Sequence, residues 1–299
     1  MDGFYELMNL RISAYSESGK GKQNNDYYGY SAIGIEEYIY RMSRLEMQKD
    51  AAKKALSHDK FYEMVPGFIA AVCDGVSNSF HPGEELEDAP EVAVKKFLQM
   101  GPVLTCVKNV KADKPGDVVW RQLCDAINQS VLDLVANYSD ITMATTMSCV
   151  YLDENTLHVF AVGDSPVYRI DKNNRCSIIV DERKPGKLSN YFGKKLKIGR
   201  HLDFKLEIKD PLKESEAIII MSDGVLAPIE HWRGEKREQK INELLSLDDS
   251  THEMAKEIVK RANDLERRLP QNERALDDKT VLVIQSLGNT RILERGNDN

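Results

Sequence analysis

Two short apolar runs of this sequence end in an aspartate that is followed at once by glycine. Residues 68–73 lead into Asp74-Gly75, and residues 216–221 lead into Ser222-Asp223-Gly224. Continuous apolar runs of this length, bounded by turn residues, are typical of buried strands. A carboxylate at the end of a buried strand is costly unless a positive charge offsets it. We therefore expect these strand ends to meet at a place where cations bind.

Two further aspartates have similar settings. Asp26 directly precedes a strand-like segment, and Asp277 opens the sequence Asp277-Asp278-Lys279-Thr280 before the last apolar run. If the four carboxylates converge, they provide the hard oxygen ligands that Mg²⁺ and Mn²⁺ prefer. The alternative for any single aspartate is an ordinary turn or cap. For the whole set, that alternative requires several coincidences of order and context.

The composition indicates a globular protein with a substantial core. The chain has 299 residues, of which 41% are hydrophobic and 30% are charged. The net charge of −7 argues against nucleic acid as a partner. Because the acidic motifs are spread from Asp26 to Asp277, a shared site requires one domain. We expect that domain over residues 1–290, with a flexible tail at 291–299.

The five cysteines show no Cys-x-x-Cys spacing, and no apolar run approaches the length of a membrane span. The N-terminus also lacks a basic segment followed by an apolar stretch. These features predict free thiols in a reducing, cytoplasmic setting without a membrane partner. Nothing in the sequence indicates obligate assembly, so we expect a monomer.

Periodicity predicts an α+β layered fold. The predicted strands are 9–16, 26–32, 68–74, 145–152, 157–162, 166–170, 176–180, 203–208, 216–221 and 276–286, with those from 145 to 180 forming an antiparallel meander. The predicted helices are 35–57, 90–100, 117–137, 235–247 and 250–268. The first of these helices belongs to an insertion at about 34–60.

Six motifs occur in an order that points to one protein family. They are Asn24-Asn25-Asp26, Val72-Cys73-Asp74-Gly75, Thr145-Thr146, Gly163-Asp164-Ser165, Ser222-Asp223-Gly224 and Asp277-Asp278-Lys279-Thr280. In this order and context, the chain from about position 10 to 286 resembles the metal-dependent protein Ser/Thr phosphatases of the PP2C (PPM) type. Each motif alone is common, but the ordered set, with a strand beside each member, is specific.

The resemblance implies a four-layer αββα sandwich in which two antiparallel sheets are flanked by helices. It implies that Asp74 bridges two Mn²⁺ or Mg²⁺ ions and that the Gly75 carbonyl reaches one of them through water. Asp223 and Asp277 would complete the coordination of the first ion, with Asp278 as an alternative to Asp277. Asp26 would hold metal-bound water. The implied activity is removal of phosphate from phospho-Ser/Thr of proteins, by attack of a hydroxide that bridges the two ions.

The sequence departs from the family pattern around Asp26. The preceding residue, usually a Glu that binds the second ion, is Asn25, which offers a neutral oxygen and predicts weaker binding. The family's phosphate-binding Arg is replaced by Gly21. Its neighbour Lys22 is our candidate for phosphate contact if the glycines bend the strand. The alternative for Lys22 is a solvated side chain.

Further departures lie near the other aspartates. The resemblance implies that Asp164 binds a third ion, but Ala227 replaces its usual partner and Pro166 replaces a frequent Arg. A third ion is therefore open to question, and a turn role for Asp164 carries equal weight. The family's His-Gly-Gly after Asp74-Gly75 is absent here, and His81 is a loop histidine without a family counterpart.

Two other functions remain open from the sequence. A catalytically weak or dead module that binds a phosphoprotein or signalling partner is favoured by Asn25, Gly21 and Ala227. The four retained aspartates argue against it, since a pure binder has no need for buried carboxylates. A phosphatase for small molecules is the third alternative, and no residue excludes it.

Overall fold

The computed structural model describes most of the chain. It covers residues 4–19, 26–33, 38–40, 55–75, 88–100, 115–136, 143–183, 190–195, 200–230, 232, 234–247, 253–275 and 277–293. No helix in these ranges combines the length and hydropathy needed to span a membrane.

Twelve strands and four α-helices make up the described part of the chain. The strands are β1 Phe4–Glu17, β2 Tyr27–Ala32, β3 Tyr38–Tyr40, β4 Ala55–Val65, β5 Gly67–Cys73, β6 Met147–Asp153, β7 Leu157–Val162, β8 Val167–Ile170, β9 Cys176–Val180, β10 Lys205–Lys209, β11 Ala217–Met221 and β12 Lys279–Leu293. The helices are α1 Ala89–Gln99, α2 Pro115–Ala136, α3 Gly234–Leu245 and α4 Met254–Arg268. Short 3₁₀ turns occupy Asp223–Val225, Ala227–Ile229 and Gln271–Glu273.

The strands form two six-stranded sheets. The first sheet has the order β4-β1-β12-β11-β8-β9, and the second has the order β10-β7-β6-β5-β2-β3. The pairs between neighbouring strands are antiparallel in both sheets.

The two sheets pack face to face, and helices cover both outer faces. Strand β11 is apolar throughout because both of its faces are buried. Ile218 and Ile220 face the core between the sheets, whereas Ile219 packs towards the helices. On the other side, Trp120 of α2 and Phe97 of α1 are buried against the second sheet. Helices α3 and α4 cover the first sheet through residues such as Leu244 and Ile258. The predicted α+β, four-layer αββα sandwich is therefore confirmed.

The predicted meander at 145–180 is wrong in one respect. Strands β6 and β7 pair with each other in the second sheet, and β8 and β9 pair in the first. The chain crosses between sheets at Gly163-Asp164-Ser165. Gly163 has a φ of 104°, and a Cβ there would lie 2.5 Å from Thr146 Cβ, so this crossover requires glycine.

The predicted helix at 35–57 is wrong at both ends. Residues 38–40 form β3, and residues 55–57 belong to β4, while residues 41–54 lie outside the described part of the chain. Strand β4 is an edge strand on which Tyr62 and Val65 are buried, whereas Phe61 is exposed. Strand β12 also continues to Leu293, past the predicted start of the tail at 291. The final six residues of the tail lie outside the described residues.

Candidate metal centre

Asp74 and Asp223 meet where a strand of each sheet ends. Asp74 follows β5 of the second sheet, and Asp223 lies two residues after the end of β11 in the first. Each carboxyl group shifts the pKa of the other, which places the two side chains close together. The backbone of Asp74 is held firmly, because its carbonyl accepts hydrogen bonds from Thr146 N and Thr145 Oγ1, both at 2.9 Å. The Thr145-Thr146 motif thus positions the Asp74 side chain.

Burial and neighbouring charges shift the pKa values of this pair upwards. Burial raises the pKa of Asp74 well above its usual value, and the charges of Asp26 and Asp223 raise it further. Burial also raises the pKa of Asp223, although its contact with Asp74 acts in the opposite direction. Like charges that lie close together disfavour ionisation of both groups.

Asp26 is buried next to this pair, with 1% of its surface exposed. Its carboxylate accepts hydrogen bonds from Ser222 and Thr280, which belong to the two motifs that follow β11 and open β12. These bonds lower its pKa, but burial and the charge of Asp278 outweigh them and raise the pKa to about 8. Asp26 therefore reaches from the second sheet onto the strand ends of the first.

The Ser222-Asp223-Gly224 and Asp277-Asp278 segments pack directly against each other. A Cβ at Gly224 would lie 2.1 Å from the carbonyl oxygen of Asp278 and 3.2 Å from Cβ of Asp277. Ser222 N donates to Thr280 O, and Thr280 N donates to Ser222 Oγ, both at 3.0 Å. Glycine at position 224 is thus what allows Asp223 and Asp277 to lie side by side.

Lys279 anchors the Asp277-Asp278 segment from the helix side. Its Nζ donates to Glu266 Oε2 on α4 at 2.8 Å and to the carbonyl of Asp277 at 3.2 Å. Both side chains of this ion pair are buried, at 4% and 7% exposure. The pair fixes the backbone that carries Asp277.

Asp164 lies at the crossover between the sheets and also interacts with Asp223. Burial and the negative charge of Asp223 raise its pKa to about 6, and Arg183 acts against this shift. Ala227, in the position of the expected partner for a third ion, offers no carboxylate and belongs to the second 3₁₀ turn. Asp164 therefore stands beside the Asp74–Asp223 pair, and its role as a metal ligand stays a prediction.

Arg183 is a site neighbour that the sequence did not reveal. Asp181 holds its guanidinium in a two-point contact, with Nε at 2.8 Å and Nη2 at 2.6 Å from the carboxylate oxygens. Its positive charge acts on Asp164 and Asp223. The pairing of Val180 with Val167 explains this proximity, because it brings the end of β9 beside the start of β8. No motif marks Arg183, so only the strand register shows its position.

Several predicted site residues fall outside the described ranges, namely Lys22, Gly21, Asn25 and His81. Gly75 is described, and it forms an isolated antiparallel bridge with Thr145. Asp74, Asp164, Asp223 and Asp277 are all partly exposed, whereas Asp26 and Asp278 are buried.

The chemistry of the donor set suits a hard divalent cation, because it consists of carboxylate oxygens. Their mutual repulsion is a cost that a bound cation would remove. Within the described ranges, however, no three His, Cys, Asp or Glu side chains are arranged so that they could hold a metal ion. Asp74 and Asp223 lie close to each other instead, and Asp26 interacts with the hydroxyl groups of Ser222 and Thr280.

Comparison with solved structures identifies the fold. The S. agalactiae serine/threonine phosphatase is similar with a TM-score of 0.57 and 13% identity, over 92% of this chain and 99% of that chain. Stp1 from Staphylococcus aureus has a TM-score of 0.54 and 15% identity, over 95% of each chain. The catalytic domain of PstP, in complex with two manganese ions, has a TM-score of 0.52 and 17% identity, over 95% of this chain and 100% of that chain. PstP is a Mycobacterium tuberculosis phosphatase. No family model matches the sequence, and no curated protein does so either. The chain therefore has the fold of the PP2C-type serine/threonine phosphatases.

Proposed function

We propose that this chain is a metal-dependent phosphomonoesterase that removes phosphate from phospho-Ser/Thr side chains of proteins. The observation that carries the proposal is the convergence of Asp26, Asp74 and Asp223, from distant parts of the chain, at one end of the sandwich. A fold alone does not define an activity, and the acids are what this proposal rests on. The similarity in fold to structures of serine/threonine phosphatases supports the reaction class.

The resemblance in the order of the acidic motifs supports the following assignment of residues to two Mn²⁺ or Mg²⁺ ions. Asp74, Asp223 and Asp277 would hold the first, and Asp74, Gly75 and Asp26 would hold the second. When bound, such ions lower the pKa of a water molecule and offset the negative charge of a phosphoryl group. The PstP catalytic domain, which has a similar fold, was solved in complex with two manganese ions, and this supports a proposal of two ions.

The protein's own contribution is to hold the acids in place. Thr145 and Thr146 fix the backbone of Asp74, and Ser222 and Thr280 orient the carboxylate of Asp26. Gly224 lets the segment that carries Asp277 approach closely. Rigid positioning of this kind removes the need to reorganise the site during the reaction.

The charge balance explains why the activity would depend on metal. Without cations, a phosphate dianion at this site would meet the negative charges of Asp74, Asp164, Asp223 and Asp277, all of which are partly exposed. Arg183 supplies one opposing charge, but its guanidinium is engaged by Asp181. Cations would turn a repulsive site into an attractive one.

A catalytically weak module that binds a phosphoprotein is the second candidate. Ala227 and Asn25 favour it, because both replace residues that would supply a carboxylate. Its partner would be the same kind of phosphorylated protein.

Substrate profiling with Mn²⁺ tests the proposal and separates the candidates. A phosphothreonine peptide, p-nitrophenyl phosphate and small phosphate monoesters are compared as substrates. We expect turnover of the peptide and of the chromogenic ester. Turnover of the small phosphate monoesters alone would contradict a protein substrate and indicate a phosphatase that acts on small molecules. Binding of the phosphopeptide without turnover, in folded protein saturated with Mn²⁺, would favour the binding module.

A further inference from the structure

Residues 183–200 are strongly basic, although the chain as a whole is acidic. They include seven lysine and arginine residues and no aspartate or glutamate, whereas the whole chain has a net charge of −7. A surface segment with one sign of charge attracts partners of the opposite sign. What this charge can attract depends on where the segment lies, and residues 190–195 show its position.

Backbone hydrogen bonds attach the segment to the residue that holds Asp74. Phe192 N donates to Thr145 O at 2.8 Å, and Thr145 N donates to Phe192 O at 3.2 Å. The hydroxyl group of the same Thr145 donates to the carbonyl oxygen of Asp74 at 2.9 Å. A single residue therefore links the basic segment to an acidic strand end.

A second contact brings the segment to the crossover that carries Asp164. The carbonyl oxygen of Asn190 lies 3.3 Å from the position that a Cβ would take at Gly163. Gly163 directly precedes Asp164 in the chain. The backbone of the basic segment thus borders the acidic cluster at two points.

Helix α2 fixes the other side of the segment. The side chain of Asn128 accepts a hydrogen bond from Gly193 N at 2.9 Å and donates one to the carbonyl oxygen of Lys194 at 3.3 Å. Gly193 has a φ of 91°, and a Cβ there would lie 2.5 Å from the carbonyl oxygen of Met143, so this turn requires glycine. The segment is therefore held in place beside the site.

Two lysines occupy this turn. Lys194 Nζ lies over the ring of Tyr191, 5.8 Å from the ring centre. The Lys195 side chain is exposed, and within the described part of the chain no ion pair or hydrogen bond engages its ammonium group. Two positive charges therefore lie on a segment that borders Asp74 and Asp164.

We propose that Lys194 and Lys195 form a recognition surface for acidic side chains next to the phosphorylated residue of a protein substrate. The inference rests on the proposed function and names its substrate class, namely phosphoproteins with Asp or Glu beside the phospho-Ser/Thr. Charges at the border of a site steer the encounter with a partner of opposite charge and fix its register. The two lysines would thus act on binding of the substrate and not on the chemical step.

Hydrolysis of two phosphothreonine peptides of equal length with Mn²⁺ tests this inference. One peptide has Asp and Glu on both sides of the phosphothreonine, and the other has Ser and Gln at the same positions. The readout is the ratio of kcat/KM for the two peptides, in which a general loss of activity cancels. We expect the wild type to favour the acidic peptide about 3- to 10-fold, through a lower KM.

Lys194→Glu/Lys195→Glu should abolish or reverse that preference. The double variant Lys172→Glu/Arg175→Glu is the matched control, because it changes the charge equally at two exposed positions in the turn between β8 and β9. This control should keep the wild-type ratio. A wild-type ratio near one, or an unchanged ratio in Lys194→Glu/Lys195→Glu, would overturn the inference.

The salt dependence of the wild-type preference is a test that needs no variant. The preference should fall between about 50 mM and about 500 mM salt, because surface charges are screened. A preference that salt leaves unchanged would also overturn the inference.

Failure of the proposed function has a different signature. In that case, the wild type with Mn²⁺ would hydrolyse neither peptide and would not hydrolyse p-nitrophenyl phosphate. Fluorescence anisotropy would then still test the recognition surface, because the labelled acidic peptide should bind the wild type more tightly than Lys194→Glu/Lys195→Glu. Equal binding to both proteins would overturn the inference.

Discussion

The side chains of Asp74 and Asp223 lie close together although they follow strands of different sheets, and each shifts the pKa of the other. This proximity joins the two strand ends into one acidic cluster. Because burial raises the pKa of both groups, the metal-free protein retains protons there to a higher pH than free aspartate does.

The stability of the metal-free protein should fall as pH rises. A carboxyl group with a raised pKa binds its proton more tightly in the folded state than in the unfolded chain, so stability is lost between the two pKa values. For Asp26 that window runs from the ordinary value of 3.8 to about 8. Each such group contributes a loss of up to about 1.4 kcal/mol per pH unit.

Urea denaturation in EDTA at a series of pH values checks this expectation. Saturating Mn²⁺ should reverse the trend, because cations bind the deprotonated acids and do so better at higher pH. A free energy of unfolding that rises with pH across this window in EDTA would contradict the electrostatic description of the site.

Gly224→Ala should damage the site as well as the fold. The added Cβ would meet the carbonyl oxygen of Asp278 at 2.1 Å, so the segment that carries Asp277 must move. We expect a loss of about 1–3 kcal/mol in stability together with weaker Mn²⁺ binding.

Gly234→Ala is the matched control for that variant. Gly234 has a φ of 58°, and a Cβ there would meet nothing within 4 Å. The substitution should lower the free energy of unfolding by about 1–2 kcal/mol through backbone strain and leave the Mn²⁺ affinity unchanged. Equal effects of both variants on Mn²⁺ binding would show that Gly224 has no special role in placing Asp277.

Lys279→Met should destabilise the protein more than a surface change. It leaves Glu266 buried without its cation, which costs about 3–5 kcal/mol. The double variant Lys279→Met/Glu266→Leu should recover much of the loss, because a buried ion pair can be replaced by apolar side chains. A double-mutant cycle by urea denaturation measures this coupling. Additive losses would show that the pair does not act as a unit.

The acidic strand ends could be predicted because their signal is local. Strands β5 and β11, which precede Asp74 and Asp223, carry no polar or charged side chain, and the structure buries both of their faces. Because the two sheets pack face to face, the ends of these two strands lie close together. The late helices were also predictable, since α4 has a clear apolar face.

The errors fall where long-range pairing outweighs local pattern. Strand β4 carries many charged residues, and it becomes a strand because β1 pairs with it along most of its length. The charges fit because β4 is at the edge of its sheet, where one face stays in water. The switch between sheets at Gly163 and the approach of Arg183 depend on strand register in the same way. Neither can be deduced from spacing in the sequence.

Hydrolysis of a phosphothreonine peptide by wild type and Asp74→Ala, with Mn²⁺, Mg²⁺ or EDTA, decides whether this chain is a metal-dependent phosphatase. We expect turnover by the wild type that requires a divalent cation, and loss of that turnover in Asp74→Ala. Asp74→Ala should stay folded in EDTA, as circular dichroism would show, so that a loss of turnover reports on the site and not on the fold. Asp133→Ala, a change on the exposed face of α2, should behave as the wild type. Full turnover in EDTA, or undiminished metal-dependent turnover by Asp74→Ala, would show that catalysis does not depend on a cation held by Asp74.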